Sequence, residues 1–128
     1  MRKLKVIAAL KVFTTATTDI PLYDNMLRNP SYFIRNKGVK SIEVIFMSRD
    51  DYFFVLKQFG CGPDVMSRDI IENYAEKMKQ GEKFPMPVLE ILSEDDLNQE
   101  GRHRIEAAHK IGVREFPVLV VKYIDWEI

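Results

Sequence analysis

The chain has 128 residues, 46% of them hydrophobic and 30% charged, and 19 basic side chains balance 19 acidic ones. This length and composition predict one compact domain with its own core, and they exclude a disordered or fibrous chain. No apolar run approaches the roughly 20 residues that span a bilayer, and a single cysteine excludes an internal disulfide, so we expect a cytoplasmic protein without a membrane partner.

The first part of the chain is basic and gives weak structural signals. Residues 1–40 hold eight basic and two acidic side chains, a net charge of +6, and residues 41–128 carry the compensating −6. The stretch KLKVIAALKVF at residues 3–13 predicts a strand, and residues 22–28 predict either a loop or one short helix. The charge asymmetry indicates either a nucleic-acid or acidic partner, or docking of the basic part on the acidic remainder. We treat residues 1–38 as an unassigned basic extension and residues 39–128 as the core.

The core begins with a strand followed by two helices. VKSIEVIFM at residues 39–47 alternates as a strand does. Ser48, with Asp51 three residues later, predicts the start of a helix with Phe53, Leu56 and Phe59 on its inner face. Gly60 ends this helix. A second helix starts after Ser67 and stops at Gly81, and its apolar stripe is interpreted as core rather than cofactor contacts: Ile70, Ile71, Tyr74, Ala75 and Met78.

Residues 87–123 predict a strand, a polar turn, a helix and a second strand. Proline-led VLEI supplies the first strand, and SEDDLNQE reads as the turn. RHRIEAAHKI forms a short helix that Gly112 ends. The apolar run at residues 118–121 predicts a strand buried on both faces. The fold class is therefore mixed α/β.

The tetrapeptide GRHR at residues 101–104 opens this last predicted helix. The first turn of a helix leaves N–H groups unpaired, and Arg102 and Arg104 add guanidinium groups that match phosphate oxygens. His103 adds a further donor and a potential cation. Cations at a helix N-terminus are unfavourable by about 0.3–1 kcal/mol each, which predicts that an anion completes the site. The alternative is that the cations pair with nearby carboxylates: Glu100, Glu106 and the acidic turn.

The longer stretch QEGRHRIEAAHKIGVREFPVLVV resembles the signature of the ParB/sulfiredoxin-like superfamily, which includes ParB-like nuclease domains. The shared pattern is a glycine, a basic box opening a helix, two alanines, a second glycine and a proline-led strand. The preceding helix and strand fit as well, so the resemblance covers about residues 64–122. It implies a single ParB/sulfiredoxin-like domain with a small mixed sheet and flanking helices.

In that superfamily the box binds nucleotide phosphates, CTP in chromosome-partition ParB proteins and ATP in sulfiredoxins and free-serine kinases. The resemblance implies that Gly101, Arg102, His103 and Arg104 hold the phosphates of a nucleoside triphosphate with Mg²⁺. Glu100 occupies the position of the kinases' catalytic base, so Glu100 and His103 are the candidate catalytic residues. Sulfiredoxin chemistry is not expected, because Arg102 stands where its reactive cysteine would be.

Several secondary residues have competing interpretations. Arg68 and Asp69 at the start of the second helix could face the same ligand. The carboxylates at residues 94–96, with Glu100, either bind Mg²⁺ or form a solvated turn. His103 and His109 are six residues apart, which does not fit a zinc pair, so no metal site of the protein's own is expected.

Two classes of function follow from these residues. The first is an enzyme that hydrolyses or transfers phosphate, of NTPase, kinase or nuclease type. The second is a non-catalytic module that binds DNA or a protein and carries a degenerate nucleotide site. The oligomeric state is left open.

Overall fold

The computed structural model describes residues 38–61 and 66–127, and these form a mixed four-stranded sheet with three helices. In chain order the elements are β1 (Ser41–Met47), α1 (Arg49–Gln58), α2 (Arg68–Lys79), β2 (Val88–Ser93), β3 (Asp96–Glu100), α3 (Arg102–Lys110) and β4 (Phe116–Lys122). This confirms the mixed α/β class. The strand and helix predicted within residues 1–38 lie outside the described residues.

The sheet has the strand order β1-β4-β2-β3. β1 pairs antiparallel with β4, β4 pairs parallel with β2, and β2 pairs antiparallel with β3. β4 is buried along nearly its whole length, as its apolar run predicts for a strand between two neighbours. None of the described helices is both long and apolar enough to cross a membrane.

β3 corrects the prediction of a polar turn across SEDDLNQE. The turn is confined to residues 94–95, and the following five residues pair with β2 as an edge strand. Leu97 is the one buried side chain in it, so the apolar alternation that reveals a strand is nearly absent. The last two residues of this strand, Gln99 and Glu100, lie next to the start of α3.

Side-chain caps define the starts of α1 and α2 as predicted. The Ser48 hydroxyl accepts from the Asp51 N–H, and the Ser67 hydroxyl accepts from the Ile70 N–H. Gly60 and Gly81 follow the two helix ends in the left-handed region. The local sequence therefore sets these boundaries.

The inner faces of α1 and α2 match the predicted stripes in part: Leu56, Ala75 and Met78 are buried as predicted. Tyr52, Val55 and Leu56 are the buried side chains of α1, whereas Phe53 is only half-buried. On α2 the stripe that packs inward is centred on Ala75 and Met78, and Ile70 is 40% exposed. Tyr52 takes a core position because its hydroxyl has a partner inside the fold.

The three helices are joined to one another by packing and by ion pairs. Residues of α2 and α3 pack closely, and the buried Ile105 and Ala108 of α3 belong to the common core. Arg49 of α1 donates to the Glu106 carboxylate of α3 and lies 5.3 Å over the ring of Phe53. The hydrogen bond to Glu106 raises the pKa of Arg49, against an opposing effect of burial. The start of α3 is thereby held between α1, α2 and the end of β3.

Candidate functional site

An open cavity of about 200 Å³ lies at the start of α3, which we call the α3 cavity. It sits where β3 ends and α3 begins, with one further side chain contributed by α2. Its lining residues are Tyr74, Gln99, Glu100, Gly101, Arg102, His103 and Arg104. The structure thus brings the whole predicted phosphate box, and the predicted catalytic Glu100, to one opening.

Gly101 lets the chain turn from β3 into α3 within one residue. Its φ of +119° lies in the left-handed region, and a Cβ there would stand 2.8 Å from Pro87 Cβ and 2.9 Å from Arg104 Nη2. Both distances are far shorter than ordinary contacts, so a side chain at this position displaces its neighbours. No side chain caps the start of α3, in contrast to α1 and α2. Gly101 itself has no side chain that could cap the helix, and the N-terminus of α3 therefore borders the α3 cavity without a capping side chain.

Arg104 is the most unusual side chain of the α3 cavity. The residue is 8% exposed, and its Nη1 donates to Glu100 Oε1 at 2.8 Å. Within the described part of the chain, neither Nε nor Nη2 has a hydrogen-bond partner, although both atoms are buried. A buried donor without an acceptor costs about 1–3 kcal/mol, so such groups call for an explanation. An anion in the α3 cavity would supply the missing acceptors.

His103 accepts a hydrogen bond through its ring. The backbone N–H of Ser67 donates to His103 Nε2 over 3.1 Å, so this nitrogen acts as an acceptor and carries no proton. The ring proton then sits on Nδ1. Arg102 and Arg104 are the permanently charged residues of the box. His103 also joins α3 to the start of α2.

Tyr52 lies behind the α3 cavity and contacts one of its lining residues. Its hydroxyl donates to Gln99 Oε1 over 3.3 Å, and its ring is fully buried. Burial raises the pKa of Tyr52, and the nearby positive charges of Arg104 and Arg102 partly oppose this effect. The hydroxyl therefore keeps its proton at neutral pH and remains a donor to Gln99.

The secondary residues are not among those that line the α3 cavity. Arg68 and Asp69 are exposed, and Arg68 pairs with Glu72 at 3.7 Å along the same helix. Residues 94–96 are exposed at the β2–β3 hairpin. Among the described residues, no group of three or more His, Cys, Asp or Glu side chains is placed to hold a metal ion. Glu100 is the one carboxylate among the described lining residues.

Two lining residues, Gln99 and Tyr74, carry no sequence signal for a site. Tyr74 belongs to the apolar stripe of α2 and packs its ring 5.0 Å from that of Phe84, as a core residue does, yet it also borders the α3 cavity. Gln99 falls in the stretch that resembles a polar turn. Comparison with models of protein families, with curated proteins and with solved structures finds no match to this chain.

Proposed function

We propose that the chain is a ParB/sulfiredoxin-like domain that binds the phosphate groups of a nucleoside triphosphate in the α3 cavity. The observation that carries the proposal is Arg104, whose Nε and Nη2 are buried beside the opening with no acceptor among the described residues. The N-terminus of α3, which has no capping side chain, and a second guanidinium group, that of Arg102, lie at the same opening. Phosphate oxygens would accept from the unpaired Arg104 donors, and their charge is favoured by the nearby Arg102 and helix N-terminus.

The size of the α3 cavity supports binding of the phosphates rather than of a whole nucleotide. Ligand pockets for complete small molecules enclose about 300–1,000 Å³, and the α3 cavity encloses about 200 Å³. The sugar and base would therefore lie outside it. Because Glu100 is the one carboxylate of the described lining, Mg²⁺ would enter with the nucleotide, held mainly by phosphate oxygens and water.

Binding is better supported than catalysis by the same residues. Glu100, the candidate base, shares one carboxylate oxygen with Arg104, and His103, the second candidate, has its Nε2 engaged by the Ser67 N–H. The second carboxylate oxygen of Glu100 keeps the lone pairs that a general base needs, but the contact that the structure gives Glu100 is the one with Arg104. We therefore assign Glu100 the role of holding Arg104 at the α3 cavity. Hydrolysis, phosphotransfer and nuclease cleavage remain the alternative that the experiment below decides.

The test is a titration of the protein with ATP, CTP and GTP, each with Mg²⁺, followed by calorimetry and by phosphate release. The Glu100→Gln variant keeps an oxygen that accepts from Arg104 but removes one negative charge beside the ligand. We expect it to bind the nucleotide several-fold more tightly, since one charge at a few ångströms changes binding by about 1 kcal/mol. Glu94→Gln, the same change on the exposed hairpin, is the matched control and leaves affinity unchanged.

Two results would change the proposal. If none of the nucleotides binds to the wild type, phosphate binding is wrong. If the wild type releases phosphate and Glu100→Gln binds the nucleotide but releases none, Glu100 is a catalytic residue and the protein is an enzyme.

DNA binding remains a prediction of the basic residues 1–37, which lie outside the described residues. The cytoplasmic location, proposed from the single cysteine, likewise remains a proposal.

A further inference from the structure

We infer that Gln99 is a phosphate-binding residue and that Tyr52 positions it, so that Gln99 donates its amide N–H to a phosphate oxygen in the α3 cavity. This inference rests on the proposed function and extends it to two residues outside the basic box. It defines the ligand group as a compact anion whose oxygens carry no proton toward Gln99 or His103.

Gln99 can offer either a carbonyl oxygen or an amide NH₂ to a ligand, and Tyr52 determines which. The Tyr52 hydroxyl donates to Gln99 Oε1 from the interior, where the ring is fully buried. Because a side-chain amide has its oxygen and nitrogen on opposite sides, the NH₂ group is the part left for the α3 cavity that Gln99 lines. Tyr52 therefore orients Gln99 so that its amide NH₂ group faces the α3 cavity as a donor.

His103 is oriented in the same way by a different group. The Ser67 N–H occupies Nε2, so the ring presents Nδ1–H as its one remaining polar group. Two side chains of the lining that could serve as either donor or acceptor, Gln99 and His103, are thus engaged through their acceptor atoms by groups outside the α3 cavity. With Arg104 Nε and Nη2 and the helix N-terminus, the described lining is dominated by donors. Such a lining favours a ligand with several acceptor oxygens, as a phosphate group has.

The register of the sheet explains how one tyrosine reaches this position. Gln99 pairs with Leu89 of β2, and Leu89 is fully buried. Residues paired in this way project from the same face of the sheet. Gln99 therefore points toward the interior, where Tyr52 of α1 meets it. Its neighbour Asn98 projects from the opposite face and donates to the buried Glu90.

The decisive substitution is Gln99→Glu. A glutamate retains an oxygen for the Tyr52 hydroxyl but replaces the NH₂ group at the α3 cavity with a negatively charged oxygen. We expect a loss of affinity for inorganic phosphate and for pyrophosphate of about tenfold or more, from one lost hydrogen bond and one added repulsion. Gln58→Glu, the same change in the last turn of α1, is the control and leaves both affinities unchanged.

The role of Tyr52 is tested by a double-mutant cycle measured by calorimetry with inorganic phosphate. Tyr52→Phe removes only the hydroxyl, so Gln99 can turn its oxygen toward the ligand, and we expect a loss of about three- to tenfold. In a Gln99→Ala background the same substitution has no further effect, because Tyr52 acts through Gln99. A merely structural role would lower affinity equally in both backgrounds.

The outcomes separate this inference from the proposed function. If the wild type binds phosphate, pyrophosphate and nucleotide but Gln99→Glu binds them equally well, Gln99 is not a ligand residue and the proposed function stands. If the Tyr52→Phe effects are additive, Tyr52 does not position Gln99. If the wild type binds none of the three anions, both proposals are overturned together.

Discussion

Replacing Arg104 with methionine tests whether this buried cation serves the ligand or the fold. Methionine has a similar length and keeps the apolar contacts of the arginine stem, but it removes the guanidinium. Two buried donors without partners disappear, which stabilises the unliganded protein by about 2 kcal/mol at roughly 1 kcal/mol each. The ion pair with the 36%-exposed side chain of Glu100 is lost, which costs less than about 1 kcal/mol. The net gain is about 1 kcal/mol.

The assay is thermal and urea unfolding with and without saturating nucleotide. For a domain of this size, about 1 kcal/mol raises Tm by roughly 3–5 °C. Nucleotide at a hundred times its Kd stabilises the wild type by about 2.7 kcal/mol, and we expect the variant to lose most of this gain. The variant is therefore the more stable protein without ligand and the less stable one with it. Arg114→Met, on the exposed turn after α3, is the control and changes neither value by more than about 0.5 kcal/mol.

A loss of stability would refute this reasoning. If Arg104→Met lowers the free energy of unfolding of the unliganded protein by more than about 1 kcal/mol, the guanidinium is satisfied within the folded chain. The unpaired donors would then give no reason to expect an anion.

Two further predictions concern Gly101 and Tyr52, both of which lie near Arg104. Gly101→Ala places a Cβ in a left-handed conformation and against Pro87, and we expect a destabilisation of about 2–4 kcal/mol in urea unfolding. Gly112→Ala is the control, because Gly112 has the same left-handed backbone but its added Cβ meets no atom within 4 Å. Equal destabilisation by both substitutions would show that the contact with Pro87 does not matter. Burial raises the pKa of Tyr52, so the protonated hydroxyl favours the folded state. This contribution to stability is complete below the pKa of about 10 in the unfolded chain, and it is lost as pH rises through the pKa in the folded protein. Above pH 10 the wild type should lose up to about 1.4 kcal/mol per pH unit relative to Tyr52→Phe, and parallel curves would contradict this.

The sequence was sufficient for those elements whose ends are set by local chemistry. Ser48 and Ser67 each cap a helix three residues before the N–H they accept from, and this spacing is visible without any tertiary information. The buried strand β4 was visible from its apolar run for the same reason. Such signals are complete within a few consecutive residues.

The sequence was insufficient where a neighbour in space decides the outcome. β3 is a polar edge strand whose pairing with β2 depends on partners rather than on alternation. The sequence predicts Phe53, Leu56 and Phe59 on the inner face of α1. Leu56 is buried as predicted, and the contact with Gln99 shows why Tyr52 is buried as well.

The same distinction applies to the candidate site. The four residues of the box and Glu100 could be predicted because they are consecutive and carry an unusual charge for a helix start. Gln99 and Tyr74 could not, since their place at the α3 cavity follows from the β3 register and from α2 packing on α3. The hydrogen bond that His103 accepts also depends on a residue 36 positions away, Ser67.

The most direct measurement is the ¹H–¹⁵N signal of the Arg104 Nε–H group, assigned by its loss in Arg104→Met, during titration with ATP and Mg²⁺. We expect this signal to shift strongly downfield and to become protected from exchange, because the ligand supplies an acceptor for the Nε–H group. An Arg104 signal that stays unchanged at saturating nucleotide would contradict the claim that an anion completes the α3 cavity.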